Sequence, residues 1–281
     1  MSSFAYYNGK FGKKEDICIP LSDRSIFFAD AVYEAAIGSF DRILWEGEHI
    51  DRFLGNAKRL GINHRYKKRQ LSALLREVGV KSMLDSYLIY FQLSRDLSDR
   101  CHSAVRCGAN LLITVDQICI ESNPPPMKLI TLPDMRHDYC DIKTTNLLPA
   151  VISATIAEKS GCDEAVFIRE GIVTECTKSN ISILNQGRLI TPPISSKVLP
   201  GITRAHILLA CEALGIQYEE KEFTEKELFS AEEILITSTT KLCKTVSHIN
   251  SVAVGGKDPI TAKSLSDFLL CEYEKRCKIP I

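Results

Sequence analysis

Three consecutive prolines, Pro124-Pro125-Pro126, place the strongest single constraint on how this chain folds. Each proline fixes its own φ and lacks an N–H, so the run is extended and stiff and continues neither a helix nor a central strand. With Glu121-Ser122-Asn123 before it, the run leaves about 120 residues on one side and about 155 on the other. The expected organisation is therefore two α+β domains, 1–120 and 127–281, joined by a linker at 121–126.

Each part carries signals for both helices and strands. In the first, Asn8-Gly9 between Tyr6-Tyr7 and Lys10-Phe11 predicts a tight hairpin. Ile50, Phe53, Leu54, Ala57 and Leu60 recur at helical spacing before Gly61, and Leu71–Val78 predicts a second helix. Ser86–Ser94 and Leu111–Ile120 have strand composition. In the second part, helices are expected over Leu147–Ser160 and Ile202–Leu214, each followed by glycine. Strand pairs are expected at 165–168 with 172–174 and at 181–184 with 188–191, and Thr224 with Glu227 predicts a capping box. No βαβ rhythm and no GxGxxG after a strand is present, so the class is α+β rather than dinucleotide-binding.

Charge excludes other classes. Thirty-five basic and thirty-five acidic residues give zero net charge, which leaves no footprint for nucleic acid or an anionic membrane. Apolar runs such as Ile207–Cys211 are far too short to cross a bilayer. Eleven scattered cysteines form no CxxC pair and no zinc-spaced cluster. Reduced thiols in the cytoplasm, mostly acting as small core residues, and no metal site are expected.

Four short segments carry chemistry. Lys143, in Asp141-Ile142-Lys143-Thr144-Thr145-Asn146, is by itself an ordinary surface charge; in a confined site its amine attacks an aldehyde to form a Schiff base. Glu175, in Thr174–Asn180, is either a solvated strand end or a carboxylate that keeps a pyridine nitrogen protonated. Pro200-Gly201-Ile202-Thr203-Arg204 opens a helix whose N–H groups and hydroxyl suit a phosphate. Thr237-Ser238-Thr239-Thr240 follows an apolar strand and suits either a turn or the far side of a phosphate cup.

In this order and spacing, together with Asp23-Arg24, Phe28–Glu34 and Glu48–Arg52, these segments resemble the class IV (fold-type IV) pyridoxal-phosphate aminotransferases over nearly the whole chain. The resemblance implies the two-domain fold-type IV architecture and the cofactor pyridoxal 5'-phosphate. It implies that Lys143 forms the Schiff base and, once released, moves a proton at the substrate Cα. Glu175 would pair with the ring nitrogen, and Leu199 would back one face of the ring. Arg52, Gly201, Ile202, Thr203, Ser238 and Thr239 would hold the phosphate, with Arg136 near it.

Within that family, Arg100 and His102 in Ser94–His102 resemble the carboxylate trap of D-amino acid aminotransferases, and Tyr33 matches the tyrosine that completes it. A trap where L-specific relatives accept a side chain implies D-amino acids as substrates and a 2-oxo acid, pyruvate or 2-oxoglutarate, as acceptor. Aminodeoxychorismate lyases, branched-chain L-amino acid aminotransferases and a catalytically silent cofactor-binding protein are the alternatives; a silent protein has no need of both Lys143 and Glu175. Ala31 and Cys176 stand where glycine is usual, and Lys178 brings a cation that favours an acidic side chain. The family further implies a homodimer.

Overall fold

A computed structural model describes residues 4–103 and 108–277. The chain forms two compact units. The first contains the described residues up to Ile120, then Ile142–Asn146, and the chain from Tyr273. The second contains Glu121–Asp141 and Leu147–Glu272. This differs from the expected division in two ways. The residues read as a linker belong to the second unit, and the lysine segment belongs to the first. The reason for the latter is backbone pairing: Tyr33 N–H donates to Lys143 O at 2.9 Å, and Thr145 N–H to Ala31 O at 3.2 Å.

The first unit is built on strands β1 (Phe4–Tyr7), β2 (Lys10–Lys13), β3 (Ala31–Ser39), β4 (Arg42–Ile43), β5 (Tyr87–Arg95) and β6 (Ala109–Gln117), antiparallel in the order β2-β1-β6-β5-β3-β4. The β1–β2 hairpin turns at Asn8 and Gly9, both at positive φ, as Asn-Gly allows. Along β5, Tyr87, Ile89, Phe91 and Leu93 are buried and alternate with half-buried residues, the period-two signature of a sheet with one core face. Helices α1 (Arg24–Phe28), α2 (Glu46–Arg59) and α3 (Lys68–Lys81) accompany the sheet. α2 buries Ile50, Phe53 and Ala57, and its acidic first turn and basic last turn match the helix dipole. Phe53 meets Phe91 edge-on, with ring centroids 4.8 Å apart. The Tyr87 side chain lies between two glycines: a Cβ on Gly38 would come within 2.3 Å of its ring, and one on Gly79 within 2.2 Å of its hydroxyl.

The second unit holds β7 (Met127–Pro133), β8 (Glu164–Arg169), β9 (Ile172–Cys176), β10 (Asn180–Asn185), β11 (Arg188–Thr191), β12 (Gln217–Glu220), β13 (Glu233–Ser238), β14 (Leu242–Ile249) and β15 (Val252–Ala253). The sheet runs β12-β11-β10-β13-β14-β7-β8-β9, with β15 against β14. Its core includes Leu129, Val166, Ile181, Ile183, Ile234 and Ile236. The helices are α4 (Leu148–Lys159), α5 (Ile202–Leu214), α6 (Glu225–Ser230) and α7 (Pro259–Cys277), the last passing into the first unit at Tyr273. Thr224 and Glu227 form the expected capping box on α6. The thiols depart from expectation. Among the described residues Cys176, Cys211, Cys243 and Cys277 are buried, but Cys18, Cys101, Cys119 and Cys271 are exposed. Among the described residues, no helix is long and apolar enough to cross a membrane.

Candidate active site

In the first unit, Lys143 is half-buried on a segment that pairs with β3, Val32 bridging Thr144. Thr145 secures the same segment by donating its hydroxyl to Ala29 O at 2.9 Å. The pairing sets the Lys143 amine over the Tyr33 ring, 4.4 Å from its centroid, and Tyr33 stacks on Tyr90 at 5.4 Å. Burial, and Tyr33 beside it, raise the Tyr90 phenol well above its ordinary range. On the same strand Glu34 is fully buried and receives Arg52 through two bonds, Nε at 2.8 Å and Nη2 at 2.7 Å. Burial works against the Glu34 charge, but Arg52 and His49 outweigh it and hold the carboxyl well below its usual range. Arg52 thus has a carboxylate partner, which sequence reasoning missed because Glu34 stood in the motif without a role.

Arg100 and His102 are exposed. Both lie against Phe28, the guanidinium 5.7 Å and the imidazole 5.3 Å from its ring centroid. Arg24 holds their loop by donating to the carbonyls of Cys101 at 2.6 Å and His102 at 3.2 Å. The described contacts of Tyr33 are with Tyr90 and Lys143, so the three residues read as one trap are not brought together by them.

The second unit gathers most of the other residues around Asn180, the first residue of β10. Its amide donates to Glu175 Oε2 at 3.0 Å and to Leu199 O at 3.0 Å, and the Leu199 N–H also reaches Glu175 Oε2 at 3.0 Å. Leu199 therefore fixes the carboxylate through its backbone. The other carboxylate oxygen takes a bond from Arg136 Nη1. The sequence placed Arg136 by a phosphate; the structure places it on Glu175, because Asp134 two residues earlier turns the guanidinium that way through Nε and Nη2, both at 2.9 Å. Asn180 carried no role in the sequence reading, although it lies five residues after Glu175 in the same motif.

Gly201 packs directly on Asn180: a Cβ there would lie 1.9 Å from Asn180 Oδ1. As N-cap of α5 it offers no side-chain acceptor, so the leading N–H groups of Ile202 and Thr203 remain available to an anion. Across the β10–β13 ladder Asn180 pairs with Thr237. The hydroxyls of Thr203, Thr237 and Ser238 are buried, with no hydrogen-bond partner among the described residues. Buried donors without acceptors cost stability, and Thr203 in the open first turn of α5, with Thr237 paired to the Asn180 that Gly201 packs on, fits a phosphate with several acceptor oxygens. Thr239 follows, half-buried, and Thr240 after it is exposed. Lys178 is exposed, and its backbone N–H donates to the buried Glu164 at 3.1 Å.

Residues 31–249 match the family described as amino-transferase class IV. The chain belongs to the class IV aminotransferases. It is 34% identical over 261 residues to the D-alanine aminotransferase of Bacillus licheniformis, covering 90% of each chain. It is 32% identical to that of Listeria monocytogenes serotype 4b, covering 96% of each. The fold matches the branched-chain aminotransferase of Thermoproteus uzoniensis, with a TM-score of 0.89 at 23% identity over 98% of this chain and 97% of that one. Class IV aminotransferases are pyridoxal-phosphate enzymes of fold type IV, and this one is an aminotransferase acting on amino and 2-oxo acids.

Proposed function

We propose that this aminotransferase carries the amino group of D-amino acids to a 2-oxo acid, pyruvate or 2-oxoglutarate, with Lys143 as the residue that binds the cofactor and carries the proton. The observation that carries the proposal is the Lys143 amine held over Tyr33 by a backbone ladder. When bound, pyridoxal phosphate supplies an aldehyde that condenses with amines and a ring that takes up the electron pair left at Cα. Glu175 would hold a proton on the ring nitrogen, and Leu199 would back the ring. Ile202, Thr203, Ser238 and Thr239, joined by Thr237, would hold the phosphate, with Arg52 adding charge. Lys143 Nζ would take the proton from Cα and deliver it to the cofactor carbon on the other side of the amine nitrogen. The choice of D-substrates is supported by Arg100 and His102 and by the likeness to proteins named D-alanine aminotransferase over most of their length. A panel of D- and L-amino acids added to the yellow holoenzyme tests it. D-alanine or D-glutamate should bleach the colour; bleaching by L-leucine alone overturns the proposal.

The working form is proposed to be a homodimer in which Arg100 and His102 serve the other subunit's site. Both are exposed, and so are Leu97, near them in sequence, and Ile26 and Phe27, next to the Phe28 that both contact. Leu148, Val151, Ile152 and Ile156 give α4 a second exposed apolar stripe. Mixing inactive Lys143→Ala and Arg100→Ala subunits should restore activity, because one of the two sites in a mixed dimer is then complete. No recovery in mixed dimers places Arg100 at its own chain's site or at none.

A further inference from the structure

Glu175 is the end of a buried chain of charges. Arg136 spends one nitrogen on it and the rest on other partners: Asp134 through Nε and Nη2, Thr174 Oγ1 at 3.3 Å and Lys197 O at 3.1 Å. Its guanidinium carbon lies over the Phe167 ring, 4.4 Å from the centroid, and the bonds on its nitrogens leave it little room to turn. Asp134 is fully buried at its side chain, takes the Thr174 hydroxyl at 3.0 Å, and lies 3.5 Å from a second cation, Arg169. Arg169 also pairs with Asp138 at the surface.

A lone arginine on Glu175 would cancel its charge and leave a weak proton acceptor. With Asp134 locked to the far side of the same guanidinium, one net negative charge remains to face a cation. We propose that Asp134, acting through Arg136 and moderated by Arg169, sets the charge that Glu175 presents to the cofactor's ring nitrogen, which makes Asp134 and Arg169 positioning residues for transamination. The inference rests on the proposed role of Glu175. On the open side Glu170, Lys197 and Glu222 line the same pocket as Arg169 and Thr174, and Asp138 pairs with Arg169; the other ionisable groups against the cluster are thiols and a closed pair. Cys140 is pushed up to about 11 chiefly by burial, Cys176 is raised by burial, and Glu164 is paired with Lys241.

The test is the pH midpoint of the visible band of the bound cofactor, measured on full-length holoenzyme, with the melting temperature of the cofactor-free protein beside it. Asp134→Asn removes a buried negative charge and should lower the midpoint by about one unit. Arg169→Gln removes a cation from beside Asp134 while keeping an amide donor, and should raise it. Opposite shifts are the signature, since a purely structural role changes melting and leaves the midpoint in place. If Asp134→Asn does not fold, the rise in Arg169→Gln alone supports the inference. An unchanged midpoint in Arg169→Gln, or shifts of one sign in both variants, overturns it. Glu175→Gln separates the two ideas: if that variant leaves the midpoint unmoved, the role of Glu175 itself is wrong.

Discussion

Gly201→Ala is the smallest change that should disable the second unit's share of the site. The glycine backbone, φ −65° and ψ 133°, suits alanine, so no backbone strain is involved. The added methyl carbon, however, would lie 1.9 Å from Asn180 Oδ1 and 3.2 Å from Arg204 Cβ. Asn180 is buried and must swing away, releasing its bonds to Glu175 and Leu199 O. A bond to a charged acceptor is worth about 1.5–3 kcal/mol and a neutral one about 0.5–1.5 kcal/mol, so the loss is about 2–4.5 kcal/mol. For a unit of this size that lowers the melting temperature by roughly 5–15 °C. Thermal unfolding of cofactor-free protein reads it, and the double variant Asn180→Ala/Gly201→Ala isolates the cause. With the opposing amide gone the methyl has space, so the double variant should be no less stable than Asn180→Ala alone. A single variant within about 0.5 kcal/mol of the parent, or a double variant equal to the sum of both singles, refutes the reasoning.

Thr203→Val should affect folding and binding in opposite directions. It removes a buried hydroxyl with no partner, so cofactor-free protein keeps its stability or gains up to about 1 kcal/mol. Affinity for pyridoxal phosphate in an equilibrium titration should fall about tenfold. Glu34 gives an acid-side signal. Its folded pKa is depressed, so its stabilisation is complete above the unfolded value near 4.3 and is lost as pH falls from there towards the folded value. Glu34→Gln should flatten the pH dependence of unfolding below about pH 4, and cost about 3–5 kcal/mol at pH 7 by removing a buried charge partner of Arg52 and His49. Gly79→Ala should destabilise far beyond the usual cost of that exchange, because the Tyr87 hydroxyl occupies the space; Gly79→Ala/Tyr87→Phe should recover part of the loss in a melting experiment.

Elements whose ends are written in local chemistry were legible. α5 begins after Pro200-Gly201 and ends at Gly215, which adopts the left-handed cap, and the expected span is the observed one. β3 was not legible as a strand. It lies inside the sheet with most residues on both faces buried, which removes the alternation, and the buried Glu34 sits in its middle. β7 follows the prolines directly, and β14 interrupts its apolar residues with Lys244, Ser247 and His248. In the site, Glu175 and the α5 turn were legible because their chemistry lies in consecutive residues. What Arg136 touches is decided by Asp134 and by a strand nearly forty residues on, and no local pattern encodes that. The same holds for Lys143, whose pairing partner is a strand more than a hundred residues earlier.

That pairing has a consequence for how the protein is made and cut. The first unit needs 142–146 to reach Tyr33 from about 110 residues downstream, and it needs the chain again from Tyr273. A ribosome that has released 120 residues has supplied Tyr33 but no amine to place on it. No single cut, at the prolines or elsewhere, returns two independent pieces, because each unit is assembled from stretches on either side of the other. Splitting the gene at residue 120 yields fragments that must find each other before the lysine is in position.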